Sequence, residues 1–385
     1  MNSQIKAVMQ AFPADSRDRS DVTGWLLFMG CVAGWLLTLS GILLLPLSVS
    51  WVAAILNGIS IAMLFIVGHD AAHGSLVHSW LANRVIATLA FLPALHPLSG
   101  WIRSHNQLHH AWTNLKGVDP GYAPFSFDEY QKLSPARRLL ERCYRSALGL
   151  GLFYFVEVYW KSMVFPRREH GPVNRGQFLL DRLWVAAFLA TECALIYWAA
   201  LVMERAYPVL FTVYAVAVPV GVFSWLSGFV TYQHHTNAAI PWFDRKEDWS
   251  FFQNQVAGST HIQFPRVFNL LLMDIHEHTA HHADPRIPLY HLHESQLQLE
   301  AAYPESVKVI GWTPGVWWKT LNCCQLYDYR EHRWLDFQGR PTTGRLVADV
   351  EPFDDSRAAH PDHGKDHRVR DSRAMSESVS LRRVP

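Results

Sequence analysis

After a polar N-terminal segment, residues 1–23, two uncharged stretches follow: Trp25 to Leu45, 21 residues, and Trp51 to Gly68, 18 residues, separated by the short Pro46–Ser50 turn. A bilayer core takes about 20 residues of α-helix, so the pair predicts a membrane-spanning hairpin. Leu183 to Met203 and Val209 to Val230, joined by Glu204–Pro208, predict a second, with Pro219 placed to kink its second arm. Val85–Leu95 is too short to span, and Ala147–Trp160 carries Glu157 and ends on a Tyr-Trp pair of the kind that sits at headgroup level. Both read as interfacial helices. From about Glu351 the chain is rich in Asp, Arg, His and Ser, and a disordered tail is expected over 346–385 with His360, His363 and His367 solvated. The expected fold is an all-α integral membrane domain over 24–345, with two transmembrane hairpins, four spans in all, and a helical cap.

Composition agrees with a membrane setting. Half of the chain is hydrophobic and 17% is charged, against roughly a quarter charged in soluble domains. A net charge of +1 gives no argument for nucleic acid. Five cysteines without a CxxC pair read as reduced or apolar rather than as a disulfide or zinc framework. The first apolar run is too long for a signal-peptide core and follows a long polar segment, so no cleaved signal is read. Between the hairpins lie Lys116, Lys132, Arg137, Arg138, Arg142 and Arg145 among other basic residues, while the two tight turns hold only Arg205. The positive-inside rule then places both termini and the central segment in the cytoplasm.

Histidines cluster at the ends of these spans and between them: HDAAH (His69, His73), HNQLHH (His105, His109, His110), the pair His234 and His235, and HTAHH (His278, His281, His282). Residues three or four apart share a helix face, so each of the three boxes presents paired imidazoles, and the predicted topology brings all four clusters to one side. Eight or nine histidines exceed what one zinc ion takes. Two iron ions, with positions left open for oxygen, would use them, and imidazole suits iron. Dioxygen activation at a membrane face points to an apolar substrate with an unactivated C–H bond. Glu192, the ionisable group within the third span, is either functional or a polar bridge between helices.

The three boxes in this order, flanking two hairpins, resemble those of the integral-membrane fatty acid desaturase superfamily. The flanks HHAWTN (109–114), VTYQHHT (230–236), EDWSFF (247–252) and HHADPRIPLYHL (281–292) are similar to the acyl-lipid omega-6 type, with a bacterial character, and the likeness spans roughly Gly24 to Gln338. The resemblance implies a non-haem di-iron centre that uses O2 to desaturate a long acyl chain carried on lipid, coenzyme A or carrier protein. By position it implies His69, His73, His105, His109, His110, His278, His281 and His282 as ligands, with His235 favoured over His234 as a ninth. Many relatives have two residues between the first two histidines of the second box; this chain has three. Asp70, Asp274 and Glu277, within or beside the boxes, are expected to accept the second ring N–H of a ligand and so fix its tautomer; Asp274 reads equally as a helix cap or a surface ion pair. His276, His78, His96, His261, His291 and His293 read as structural. Residues 96–100 read HPLSG rather than a haem-binding HPGG, so electrons are expected from a separate ferredoxin or b-type cytochrome with its reductase. The implied location is the bacterial inner membrane with a cytoplasmic active site. The same boxes also serve acyl hydroxylases, acetylenases and epoxidases, and related ones serve carotenoid ketolases and hydroxylases. A histidine-lined metal transporter would need polar groups spread through the spans.

Overall fold

The computed structural model describes residues 3–166 and 174–347; the tail expectation falls, from residue 348 on, outside the described residues. In chain order the helices are α1 (Ser3–Gln10), α2 (Asp21–Leu44), α3 (Leu47–His73), α4 (Trp80–Phe91) and α5 (Leu98–Trp101), which continues as a π-helix over Ile102–His109. Then come α6 (Phe127–Lys132), α7 (Pro135–Tyr144) and α8 (Leu150–Phe153), itself continued by a π-helix over Tyr154–Val164. The second hairpin is α9 (Arg175–Val202) and α10 (Pro208–His235). Beyond it lie α11 (Arg266–Leu271), α12 (His278–Ala283), α13 (Leu289–Ala302) and α14 (Pro314–Cys323). Two small sheets accompany them, a parallel pair β1 (Thr260–Gln263) with β2 (Lys308–Gly311) and an antiparallel pair β3 (Leu326–Asp328) with β4 (Arg333–Leu335). Strands of three or four residues leave no periodic signal, so the all-α expectation stands with these two additions.

Among the described residues α2, α3, α9 and α10 are long and apolar enough to cross a membrane. Their outward faces carry Leu26, Leu37, Leu183, Trp184, Leu195 and Trp198 in the open, a display of apolar surface that lipid covers and water would not tolerate. At 27 and 28 residues, α3 and α10 are each about 40 Å long, against a hydrocarbon core of about 30 Å. Both therefore outrun the bilayer, and the surplus carries the histidines into the cap. The stretches at 80–91 and 150–164 form helices below spanning length.

Polar ties fix the hairpins. Asn57 on α3 donates from Nδ2 to the Trp35 carbonyl and to Thr38 Oγ1 on α2, each at 2.9 Å. Arg205, in the turn between α9 and α10, donates to the Leu43 and Leu45 carbonyls at the end of α2, satisfying acceptors that a helix C-terminus leaves open. At Gly58 helices α3 and α10 touch: a Cβ there would lie 2.6 Å from the Val222 Cβ and 2.7 Å from the Pro219 carbonyl oxygen. The main core runs from Phe65 and Phe91 through Trp101, Tyr154, Phe223 and Tyr232 to Ala280 and Leu292, joining spans to cap.

Candidate metal centre

Nine histidines gather into two groups at the point where α3 and α10 leave the membrane: His69, His73, His105, His110 and His281 in one, His109, His235, His278 and His282 in the other. Local geometry explains the partition. Successive residues on a helix point about 100° apart, so the neighbours His109 and His110 serve different groups, as do His281 and His282. His69 and His73 are one turn apart at the end of α3, which stops at Gly74 in the left-handed conformation, φ 74°. The extra residue in the second box is absorbed by the π-helix, where the His110 N–H bonds the His105 carbonyl five residues back at 2.9 Å.

The ring nitrogens converge. His105 Nε2 lies 2.8 Å from His69 Nε2 and 3.1 Å from His110 Nε2, which is itself 3.1 Å from His281 Nε2. In the second group His235 Nε2 and His278 Nε2 are 3.0 Å apart. One ring nitrogen carries at most one hydrogen, so a run of four cannot satisfy itself by hydrogen bonding. Imidazoles about 2.1 Å from a shared cation fall about 3 Å apart when adjacent in its coordination shell. His73 Nε2 and His282 Nε2 are buried without a hydrogen-bond partner. The donor set thus fits metal ions of the kind imidazole favours. Burial, reinforced by the neighbouring rings, holds His105, His110, His278, His281 and His282 well below the ordinary histidine pKa, so these rings are neutral and available as ligands.

The groups that orient the rings come largely from elsewhere than expected. Asp70 does lie beside His69, Oδ1 to Nδ1 at 3.3 Å, and its other oxygen accepts the Leu289 N–H. The Asp274 and Glu277 carboxylates pair with other groups than the nine rings. Asp274 pairs with Arg266 at 3.0 Å. Glu277, fully buried at the N-terminus of α12, faces His261 at 3.0 Å and His293 at 2.7 Å. Although burial opposes it, the Glu277 and Glu300 carboxylates push His261 up to about 9. The rings are held instead by Asp119, 2.9 Å from His109 Nδ1, and by Gln255 and Thr113 at His282 Nδ1, 2.9 and 3.2 Å away. Burial works against the Asp119 charge, but the facing His109 ring keeps its carboxyl below the usual range. A turn in HHAWTN is the trace these residues leave: Asn114 adopts φ 59°, and its N–H reaches Asp119 Oδ2 at 2.8 Å. His234, the neighbour of His235, is not a member of either group: its ring stacks on that of His278 with centroids 3.7 Å apart, and its Nε2 meets His276 Nδ1 at 3.0 Å.

Below the histidines lies a narrow apolar cavity, open on one side, with about 110 Å³ of room for the centre of a water-sized sphere. His69, His105, His109, His234, His235 and His278 form its head, and Phe65, Ile66, Val158, Phe223 and Leu226 are among its walls. Glu192, half-buried on α9, is not one of its lining residues.

Four membrane-length helices bearing a histidine-built centre over an apolar cavity define a membrane-embedded enzyme scaffold of the metal-dependent kind. The chain belongs to the fatty acid desaturase family, whose model matches residues 46–314. It is 28% identical over 331 residues to the chloroplastic omega-6 fatty acid desaturase of Glycine max, covering 84% of this chain and 73% of that one. It is 27% identical over 354 residues to the sn-1 oleoyl-lipid 12-desaturase of a Picosynechococcus species, covering 87% and 93%. The sn-1 acyl-lipid omega-3 desaturase (ferredoxin) of a Synechocystis species is 31% identical over 231 residues, covering 60% and 61%.

Proposed function

We propose that this protein is a membrane-bound, oxygen-dependent acyl desaturase, with iron held by His69, His73, His105, His110 and His281 in one group and by His109, His235, His278 and His282 in the other. The observation that carries the reading is the convergence of nine imidazoles at the head of an apolar cavity. Bound there, a pair of iron ions supplies oxidising power toward an unactivated C–H bond, with O2 as co-substrate and electrons delivered from outside the chain.

The chain's own residues supply position. Asp119, Gln255, Thr113 and Asp70 hold His109, His282 and His69 by Nδ1, which turns Nε2 of each ring toward its group. Members of both groups line the cavity head, so neighbouring methylenes of an acyl chain lying in it come within reach of both. Phe65, Ile66, Val158, Phe223 and Leu226 exclude water and keep that chain in line, and such positioning is a large share of catalysis when the bond to be broken is unactivated.

The relatives' names support a chain esterified in a membrane lipid as substrate and a ferredoxin as electron carrier, with a b-type cytochrome the other candidate. The basic segment between the hairpins supports a cytoplasmic active site, in a bacterium at the inner membrane. The test is the fatty acid profile, with double-bond location, of a host expressing the chain together with a ferredoxin and its reductase, beside a His281→Ala control. New unsaturation absent from the control supports the reading. Hydroxylated acyl chains or altered carotenoids in the same extracts would replace it.

A further inference from the structure

The cavity has an open flank and a closed end. On α10 its lining residues Leu226, Ser227, Val230 and Thr231 are partly exposed, whereas Ala62, Phe65, Phe223 and Tyr154 are buried. Ala62 and Phe223 are also the lining residues farthest from the histidines on their helices, about 10 Å below His69 and about 18 Å below His235 at the α-helical rise. Immediately beyond them Gly58 closes α3 onto Val222 and Pro219, so the cavity does not continue between these helices.

Tyr154 closes this end from a third side, and a polar relay pins it. Leu95 adopts φ 60°, an uncommon conformation for a branched residue, and its carbonyl is held by Tyr159 Oη at 3.0 Å. That turn sends His96 inward, where its ring contacts Phe65, Trp101 and Phe223. Its Nδ1–H donates to the Ala94 carbonyl at 2.6 Å, which leaves Nε2 to accept the Tyr154 hydroxyl at 2.9 Å. A phenylalanine would fill the same space without this partner. The relay fixes where the ring stands, and a buried network of this kind is expensive unless each member is paired.

We infer that Tyr154, held by His96, is the end wall of the acyl cavity and determines how much chain is accepted beyond the reacting methylenes. Chain length and double-bond position are then read from the same wall. The inference rests on the desaturase reading for the identity of the occupant, and its test does not require turnover.

The purified full-length protein is titrated with a graded series of saturated fatty acids competing against a fluorescent one, in wild type, Tyr154→Leu, Tyr154→Phe and Ala62→Leu. Wild type is expected to show a break in affinity at one chain length. Tyr154→Leu moves the break to longer chains, with the first excluded chain regaining about tenfold or more in affinity, since a methylene in an apolar pocket carries that much. Ala62→Leu moves it to shorter chains. Tyr154→Phe keeps its place and blunts it about fivefold, the worth of one hydrogen bond. A wild type without a break, or a break that stays put in Tyr154→Leu, overturns the inference; should that variant fail to fold, an unmoved break in Ala62→Leu does so. Breaks that move as described while no form yields unsaturated chains in the host would leave the wall standing and remove the desaturase reading.

Discussion

Asp119 returns across a tight turn to set a carboxylate oxygen 2.9 Å from Nδ1 of His109. The turn is built for it: the Asn114 N–H takes one carboxylate oxygen and the Gly121 N–H the other. Asp119 is therefore held on both sides before it meets the imidazole, and it decides which nitrogen of His109 faces the second group.

Asp119→Asn leaves the shape intact and removes the charge and the obligate acceptor. Metal affinity is expected to fall about ten- to hundredfold, the usual effect of removing a partner behind a ligand. Iron content of the purified protein, read beside its helical circular dichroism, checks this; full occupancy would detach Asp119 from the centre.

Gln255 joins three buried groups, accepting from Thr113 Oγ1 at 3.0 Å, meeting His282 Nδ1 at 2.9 Å and donating to the His110 carbonyl. Gln255→Leu strands the His110 carbonyl and leaves His282 Nδ1 with Thr113 as its one partner, and is expected to destabilise the protein by about 2–4 kcal/mol, with loss of bound iron. Thermal melts in detergent give the first quantity and metal analysis the second. A Leu variant as stable as wild type contradicts the role.

The π-helix in the second box makes an unusual forecast. Deleting the exposed Gln107 removes the surplus residue and lets the segment relax to α-helix, with His105 still facing its group. Iron content is expected to stay within about twofold of wild type, because a π-bulge is a one-residue insertion that the flanking helix tolerates losing. Complete loss of iron would mean that the wider turn itself places the ligands.

His261 gives the pH dependence. Its folded pKa, about 9, lies above the ordinary 6.5, so the native state binds the proton more tightly than the unfolded chain. The stabilisation is complete below about pH 6.5 and is lost as pH rises through about 9, at most about 3 kcal/mol over that window. Melting temperature should decline across it, and His261→Gln should flatten the decline.

The hairpins and the nine histidines were legible because both leave local marks: charge-free runs of bilayer length, and repeats at helical spacing. The orienting residues were not. Asp119 acts through a turn ten residues after its partner, and Gln255 reaches His282 from a segment that carries no motif. Glu277 adjoins His278 in sequence, yet the rotation between neighbours on a helix sends it to His261 and His293 instead. Only the extra residue in HNQLHH hinted at the π-helix, and the assignment of His109 to one group and of His105 and His110 to the other needed three dimensions.

Each histidine group takes at least one ring from a helix rooted in the bilayer, His69 and His73 from α3 and His235 from α10. Trimming the chain to a water-soluble catalytic fragment therefore removes part of both groups at once. Engineering of this scaffold has to proceed with the lipid-embedded half in place, and detergents or nanodiscs that alter the seating of α3 against α10 act directly on the reactive centre.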